Sequence, residues 1–226
     1  MAAKIDVYLE VGSKRVFAGA IEWPGWSRSG KTVEAALEAL AAAGPRYKKA
    51  VGKAGGAFTP PDGVDAFKVV EKLKGDATTD FGAPGIAPKA DSRPLGGKEL
   101  ARQKALLEAS WSALGRAAKA VKGKTLSTGP RGGGRRLEAI LTHVDDADGA
   151  YLRSMGGRFT PDSDGSVERA TKHLRKELIE TVAARAHGEE PPPSPRRKKP
   201  WWTPRYAVRR SAWHALDHAW EIEDRA

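Results

Sequence analysis

The chain has 226 residues, with 39 Lys and Arg against 28 Asp and Glu, for a formal net charge of +11; that length holds one medium domain or two small ones. It contains no cysteine, which excludes disulfides, thiolate zinc sites, iron–sulfur clusters and a cysteine nucleophile. No run approaches the ~18 apolar residues that cross a bilayer, and Met1–Lys4 leads straight into an alternating segment rather than an apolar leader core, so a cytoplasmic protein with no membrane partner is expected.

Residues 4–23 read as a β-hairpin. Val7, Leu9 and Val11 alternate with Asp6, Tyr8 and Glu10, Gly12-Ser13-Lys14 turns the chain, and β-prone residues continue from Val16 to Trp23. Pro24-Gly25 ends the pair. Thr32 is placed to cap a helix with apolar positions Val33, Ala36, Leu37 and Leu40, ending near Gly44-Pro45, and Ala66–Leu73 reads as a third strand. Residues 1–74 are therefore expected to form a small ββαβ domain. Residues 75–97, rich in Gly, Pro, Asp and Ser, read as a linker. Amphipathic helices follow at Lys98–Val121, Arg136–Met155, Ser166–Ala186 and Tyr206–Glu223. The expected fold class is α+β, an N-terminal ββαβ domain followed over 98–226 by a four-helix bundle.

Gly25-Trp26-Ser27-Arg28-Ser29-Gly30-Lys31-Thr32 matches G-x-x-x-x-G-K-[ST], a phosphate loop in which Lys31 would meet the terminal phosphate and Thr32 a magnesium ion. Its context opposes that reading. The preceding strand belongs to an antiparallel hairpin, no later segment supplies four apolar residues ending in Asp, and Pro24 and Trp26 crowd the loop. The stretch from Trp23-Pro24-Gly25-Trp26 through Thr32-Val33-Glu34-Ala35-Ala36-Leu37 resembles instead the HicB-like domain: strand, Pro-Gly turn, short loop with Gly before Thr, then helix. The resemblance implies a small ββαβ fold used in contacts with a protein partner.

Five histidines are present. His214 and His218 sit one turn apart on the last helix, so both rings share a face, bordered by small or apolar Ala207, Ser211, Ala215 and Ile222. His143 lies at the flank of the second bundle helix's apolar stripe. Ligands in a bundle come from facing helices, so His143, His214 and His218 form a candidate three-histidine site with open positions, suited to Zn, Ni, Fe or Cu. Two solvent-facing histidines are the commoner meaning of a lone H-x-x-x-H. His173 and His187 lack such partners. Asp146 and Glu221, each about one turn from a candidate ligand, are placed to orient the imidazoles.

Tyr206–Ile222, with its H-x-x-x-H, resembles the closing helix of the DinB-like superfamily, and Leu137–Asp145 resembles the helix that supplies its remaining histidine. The resemblance implies an up-up-down-down type bundle, a divalent metal (Zn, Ni or Fe) on the triad, and metal-assisted transfer or isomerisation using a low-molecular-weight thiol. With no cysteine in the chain, the sulfur would come from that cosubstrate. A small-molecule substrate and a homodimer are expected with it.

Arg196-Arg197-Lys198-Lys199 followed by Pro200-Trp201-Trp202 is a basic run beside aromatics. It can contact a phosphate backbone and stack on bases, or it can be a solvated loop whose tryptophans cover the bundle end. The alternative function is accordingly a non-enzymatic protein that binds a partner or nucleic acid; under the metalloprotein reading no nucleic acid is expected.

Overall fold

A computed structural model describes residues 4–129, 134–160, 165–191, 193 and 198–226. The chain is α+β and divides into two units, Met1–Arg93 and Pro94–Ala226. Among the described residues there are four strands and seven α-helices.

In the first unit β1 (Ile5–Val11), β2 (Val16–Ala20), β3 (Ser27–Gly30) and β4 (Phe67–Lys74) form one mixed sheet in the order β3-β2-β1-β4. β1 pairs antiparallel with β2, β2 antiparallel with β3, and β1 parallel with β4. A parallel neighbour needs a long crossover, and α1 (Val33–Ala42) and α2 (Gly44–Val51) lie within it. The expected ββαβ order is thus βββααβ. β3 escaped the sequence pattern because Ser27-Arg28-Ser29-Gly30 carries no apolar alternation. It is held through backbone pairing and by Ser27 Oγ, which donates to Ala18 O at 3.0 Å. Pro45 stands in the first turn of α2 and starts a helix there, since a missing N–H costs nothing at that position.

The core of this unit is aromatic. Trp26 is 1% exposed, and its ring lies 4.9 Å from Phe58, 5.8 Å from Tyr47 and 5.8 Å from Phe67. Its Nε1 donates to Leu40 O, and the Tyr47 hydroxyl to Pro24 O, both at 2.9 Å. The phosphate-loop match is therefore built from structural parts: Trp26 is core, Ser27–Gly30 is a strand, and Thr32 Oγ1 accepts from Ala35 N to cap α1. A Cβ at Gly30 would stand 2.5 Å from Ala36 N, so this glycine lets α1 close onto β3.

Residues 75–93, expected within the linker, are ordered structure. α3 (Ala77–Phe81) is capped by Asp76, and a short 3₁₀ turn spans Lys89–Ser92. The organiser is Glu10, fully buried on β1. Its carboxylate accepts from Thr79 Oγ1 at 2.5 Å, Gly85 N at 2.9 Å and Ile86 N at 3.0 Å. A segment poor in apolar residues is thus tied down by a buried acceptor, which composition does not reveal.

In the second unit α4 (Gly97–Ala120), α5 (Leu137–Ser154), α6 (Val167–Ala186) and α7 (Pro204–Asp224) pack on one another. Their bounds lie within two residues of those expected. Contacts of α5 with α7 or its approach run in opposite chain order, His143 to His214, Asp148 to Ser211, and Ser154 O to Trp202 N, so these helices are antiparallel. Glu99–Arg205 at 3.2 Å pairs the starts of α4 and α7, which run parallel; Asp145–Arg175 and the close approach of Gly157 to Thr181 set α6 parallel to α5. The directions are up, down, down, up, not up-up-down-down. Leu100, Leu107, Trp111, Met155, Leu178, Val182, Ala207, Val208, Ala212 and Ala215 form a common apolar cluster.

Asp148 of α5, fully buried, ties this unit together. It accepts from Trp111 Nε1 of α4 at 2.9 Å and from Ser211 Oγ of α7, and Arg175 Nε of α6 stands 3.6 Å away. Arg175 also lies over the Trp111 ring, its guanidinium carbon 5.2 Å from the centroid. Burial pushes the Asp148 carboxyl up to about 6, against the lowering effects of Ser211, Arg175 and Trp111.

Two outcomes are expected. Gly30→Ala, which forces α1 off β3, should cost about 1–3 kcal/mol in thermal unfolding, whereas exposed Lys31→Ala should stay within about 0.5 kcal/mol; calorimetry with Mg-ATP should show no heat, and micromolar binding lost on Lys31→Ala would overturn the structural reading of this loop. Asp148→Ala should cost about 3–5 kcal/mol, because Arg175 and two buried donors lose their partner. Asp148→Asn should cost less. The folded value near 6 lies above the unfolded ~3.9, so the fold favours the protonated acid. Its pH-dependent contribution is full below about 4 and is lost as pH rises through about 6. Wild-type stability relative to Asp148→Asn should therefore fall across that window in denaturant titrations.

Candidate metal centre

The centre is made by α5 and α7. Their antiparallel packing, with Asp148 on Ser211, carries His143 opposite His214 and His218. His214 Nε2 lies 3.2 Å from His143 Nε2 and 3.1 Å from His218 Nε2. One nitrogen from each ring falls in a single cluster no wider than 4.8 Å. Two imidazoles at 2.0–2.1 Å from one tetrahedral ion would set their nitrogens about 3.3 Å apart, so the spacing matches a shared divalent ion. His214 and His218 are buried and His143 is half-buried. The expected border of Ala207, Ser211, Ala215 and Ile222 is fully buried.

The orientation of His218 is fixed from behind. His218 Nδ1 meets Glu221 Oε2 at 2.7 Å. The hydrogen bond from His218 draws the Glu221 carboxyl down to about 2, with Arg225 adding to the effect against the cost of burial. An ionised carboxylate only accepts, so His218 carries its proton on Nδ1 and directs the Nε2 lone pair into the cluster. Arg225, 2% exposed, donates to Glu221 Oε1 at 2.7 Å, to Ser127 O at 2.7 Å and to Arg135 O at 3.0 Å. The last turn of the chain thereby clamps both stems of the α4–α5 connection beside the histidines.

Burial and nearby positive charge favour the neutral form of His214 and His143. Burial pushes His214 down to about 2, reinforced by the charges of His218, Arg210, His143 and Arg135. Burial also lowers His143, followed by Arg135 and His218, against the opposite pull of Asp146 and Glu221. Neutral imidazole is the ligating form.

Of the residues singled out from sequence, His143, His214, His218 and Glu221 come together. Asp146 is exposed and acts on His143 through its charge. His173 is half-buried and faces Glu177 at 3.4 Å, and exposed His187 ends α6. Trp202 stacks on Tyr151 at 5.1 Å and its backbone N–H donates to Ser154 O at 2.9 Å, covering one end of the helices. Trp111, Trp213 and Trp220 are buried. In the basic run, Lys198 and Lys199 are exposed; Arg196 and Arg197 lie outside the described residues. Sequence reasoning missed Asp148, although an Asp in register with Ile140, Val144 and Leu152 on an apolar stripe is a visible signal. It also missed Arg210, one turn before His214, and Arg225, which follows the helix with nothing in its pattern to mark it.

Comparison of the chain with family models, with curated proteins and with solved structures returns no match. The group His143, His214 and His218 is accordingly the observation on which function has to be read. No helix among the described residues is long and apolar enough to cross a membrane.

The acid stability of the metal-free protein should show the buried imidazole. His214 sits near 2 when folded, against ~6.5 unfolded, so below pH ~6.5 the unfolded chain binds more protons. Stability is full above that pH and falls by up to about 1.4 kcal/mol per pH unit below it. In chelator-treated protein, His214→Gln should flatten this acid limb in urea titrations between pH 7 and 5.

Proposed function

We propose that the second unit holds one divalent metal ion on His143, His214 and His218, and that the protein is a metal-assisted transferase or isomerase acting on a small molecule with a low-molecular-weight thiol. The observation that carries this reading is the convergence of three ring nitrogens, 3.1–3.2 Å apart at the closest pairs, with His218 oriented by Glu221. Three protein ligands leave a coordination position for an exchangeable group, the arrangement of catalytic rather than structural sites. A bound divalent ion would lower the pKa of a coordinated thiol and so supply the nucleophilic thiolate.

Each residue of the chain has a part in this reading. His143 and His214, whose neutral forms are favoured by burial, offer lone pairs without first losing protons. Glu221 holds the His218 tautomer, and Arg225 holds Glu221. Tyr151, 9% exposed, and the other buried aromatics nearby keep the surroundings of low polarity, which strengthens electrostatic effects on a bound anion. In the same reading α4–α7 form a DinB-like four-helix bundle, and the sheet unit is a HicB-like domain for contact with a protein partner, in a homodimer.

The test is elemental analysis of protein purified without a nickel column. One divalent ion per chain is expected. His143→Ala and His218→Ala should each remove one of three anchors and abolish stoichiometric binding, while His173→Ala and His187→Ala retain it. Circular dichroism after chelation should keep its helical signal, because the apolar cluster is intact without the ion. Consumption of a thiol such as glutathione by the loaded protein, lost in His218→Ala, would support the transferase assignment. Unchanged metal content in both ligand variants would overturn the centre. A metal-free native protein would favour the non-enzymatic, partner-binding reading.

A further inference from the structure

α7 carries a third functional side chain in line with its two histidines. Arg210, His214 and His218 follow one another at single-turn spacing on one face. The Arg210 guanidinium lies 4.7 Å from the Trp213 ring centroid and 5.7 Å from that of Tyr151. Those two rings flank His214, at 5.9 Å and 6.0 Å between centroids. Arg210 is therefore a near neighbour of the histidine cluster, held between aromatic faces. Its Nη1 is buried and has no hydrogen-bond partner among the described residues.

That donor is costly as it stands. A buried donor without a partner loses its hydration and gains nothing, at about 1–3 kcal/mol and more for a charged group. Cation–π contact with two rings offsets part of this, yet the rings accept no N–H in the guanidinium plane. The other charges near the cluster do not supply the missing acceptor. Glu221 is engaged by His218 and Arg225, Asp148 by Trp111 and Ser211, and Asp146 is exposed. Exposed Arg135 adds a second positive charge that His143 and His214 both feel. With a divalent ion bound, the two guanidiniums of Arg135 and Arg210 would leave the site with a positive excess.

We propose that Arg210 is a binding residue for an anionic ligand of this centre, and that the ligand is a small organic carboxylate whose oxygens engage the Arg210 guanidinium beside the metal's open position. This rests on the metal reading above and adds the substrate class to it. A guanidinium matches a carboxylate in geometry and charge, and the buried Nη1 is the donor that such a ligand completes. The aromatic walls of Tyr151 and Trp213 favour an organic acid over a fully hydrated inorganic anion.

The test uses the full chain loaded with Co(II), whose visible absorption reports its coordination, titrated with acetate and with the neutral isostere acetamide. Metal stoichiometry is measured in each sample. Wild type should load one Co(II) per chain and show a saturable spectral change with acetate, at least tenfold weaker with acetamide. Arg210→Gln should load Co(II) equally and keep its thermal transition, yet bind acetate at least tenfold more weakly. Arg210→Lys should recover part of the preference for acetate over acetamide, which a purely structural role for Arg210 would not produce. Equal responses to acetate and acetamide, or wild-type acetate affinity in Arg210→Gln, would overturn the carboxylate proposal while the Co(II) stoichiometry leaves the metal centre standing. Failure of wild type to load Co(II), or equal loading by His218→Ala, would overturn both.

Discussion

The Asp148 carboxylate sets the geometry on which the second unit depends. Apolar burial is non-directional, and a cluster of Leu, Val and Ala tolerates sliding of one helix along another. The hydrogen bond between Asp148 and Ser211 does not. It pins α5 to α7 at one point, and His143 then falls opposite His214 because the two pairs are close neighbours along both helices. Trp111 and Arg175 extend the same constraint to α4 and α6. Burying a carboxylate is expensive in energy, and ionic groups in cores are best attested as devices for register. Here the register of α5 on α7 is what brings three imidazoles from two helices to one place.

Around that place the protein separates two tasks. Burial and positive charge favour the deprotonated forms of His143 and His214. Orientation is supplied by the chain from His218 to Glu221 to Arg225. A hydrogen-bonded partner behind a ligand fixes its tautomer and raises its basicity, and Glu221 is itself held ionised by the groups it orients. The neutralising carboxylates sit behind the histidines, so the charge of an ion would be left for an incoming group to balance.

The helices of the second unit were legible because their apolar periodicity is strong, and the H-x-x-x-H was legible because helical spacing alone puts two rings on one face. What brings His143 to that face was not. It depends on Asp148 meeting Ser211 across 63 positions, a pairing no local pattern encodes. In the first unit the sequence pattern found the strands with apolar alternation and missed β3, which is polar and held by its backbone. It also mistook 75–93 for a linker, since Glu10 appears in the sequence as an outward-facing residue of an alternating strand. In the structure it is a buried acceptor that orders Thr79, Gly85 and Ile86. Letter matches were the least informative signal. G-x-x-x-x-G-K-T is here a core tryptophan, an edge strand, a close-packed glycine and a helix cap.

The Arg225 clamp has a consequence for how the chain can vary. Its guanidinium grips backbone carbonyls at Ser127 and Arg135, the two stems of one connection, and the Ser127 hydroxyl donates back to Arg225 O at 3.0 Å. Sequence drift at either stem leaves the guanidinium's hold intact, because every residue type presents the same carbonyl, although a change at Ser127 gives up its hydroxyl bond to Arg225 O. Changes of length between the stems touch neither contact, since the carbonyls that Arg225 holds stand at the two ends. The fixed quantity is the guanidinium at position 225 itself. Evolutionary freedom near the centre is therefore concentrated in the α4–α5 connection, and constraint in the final turn of the chain.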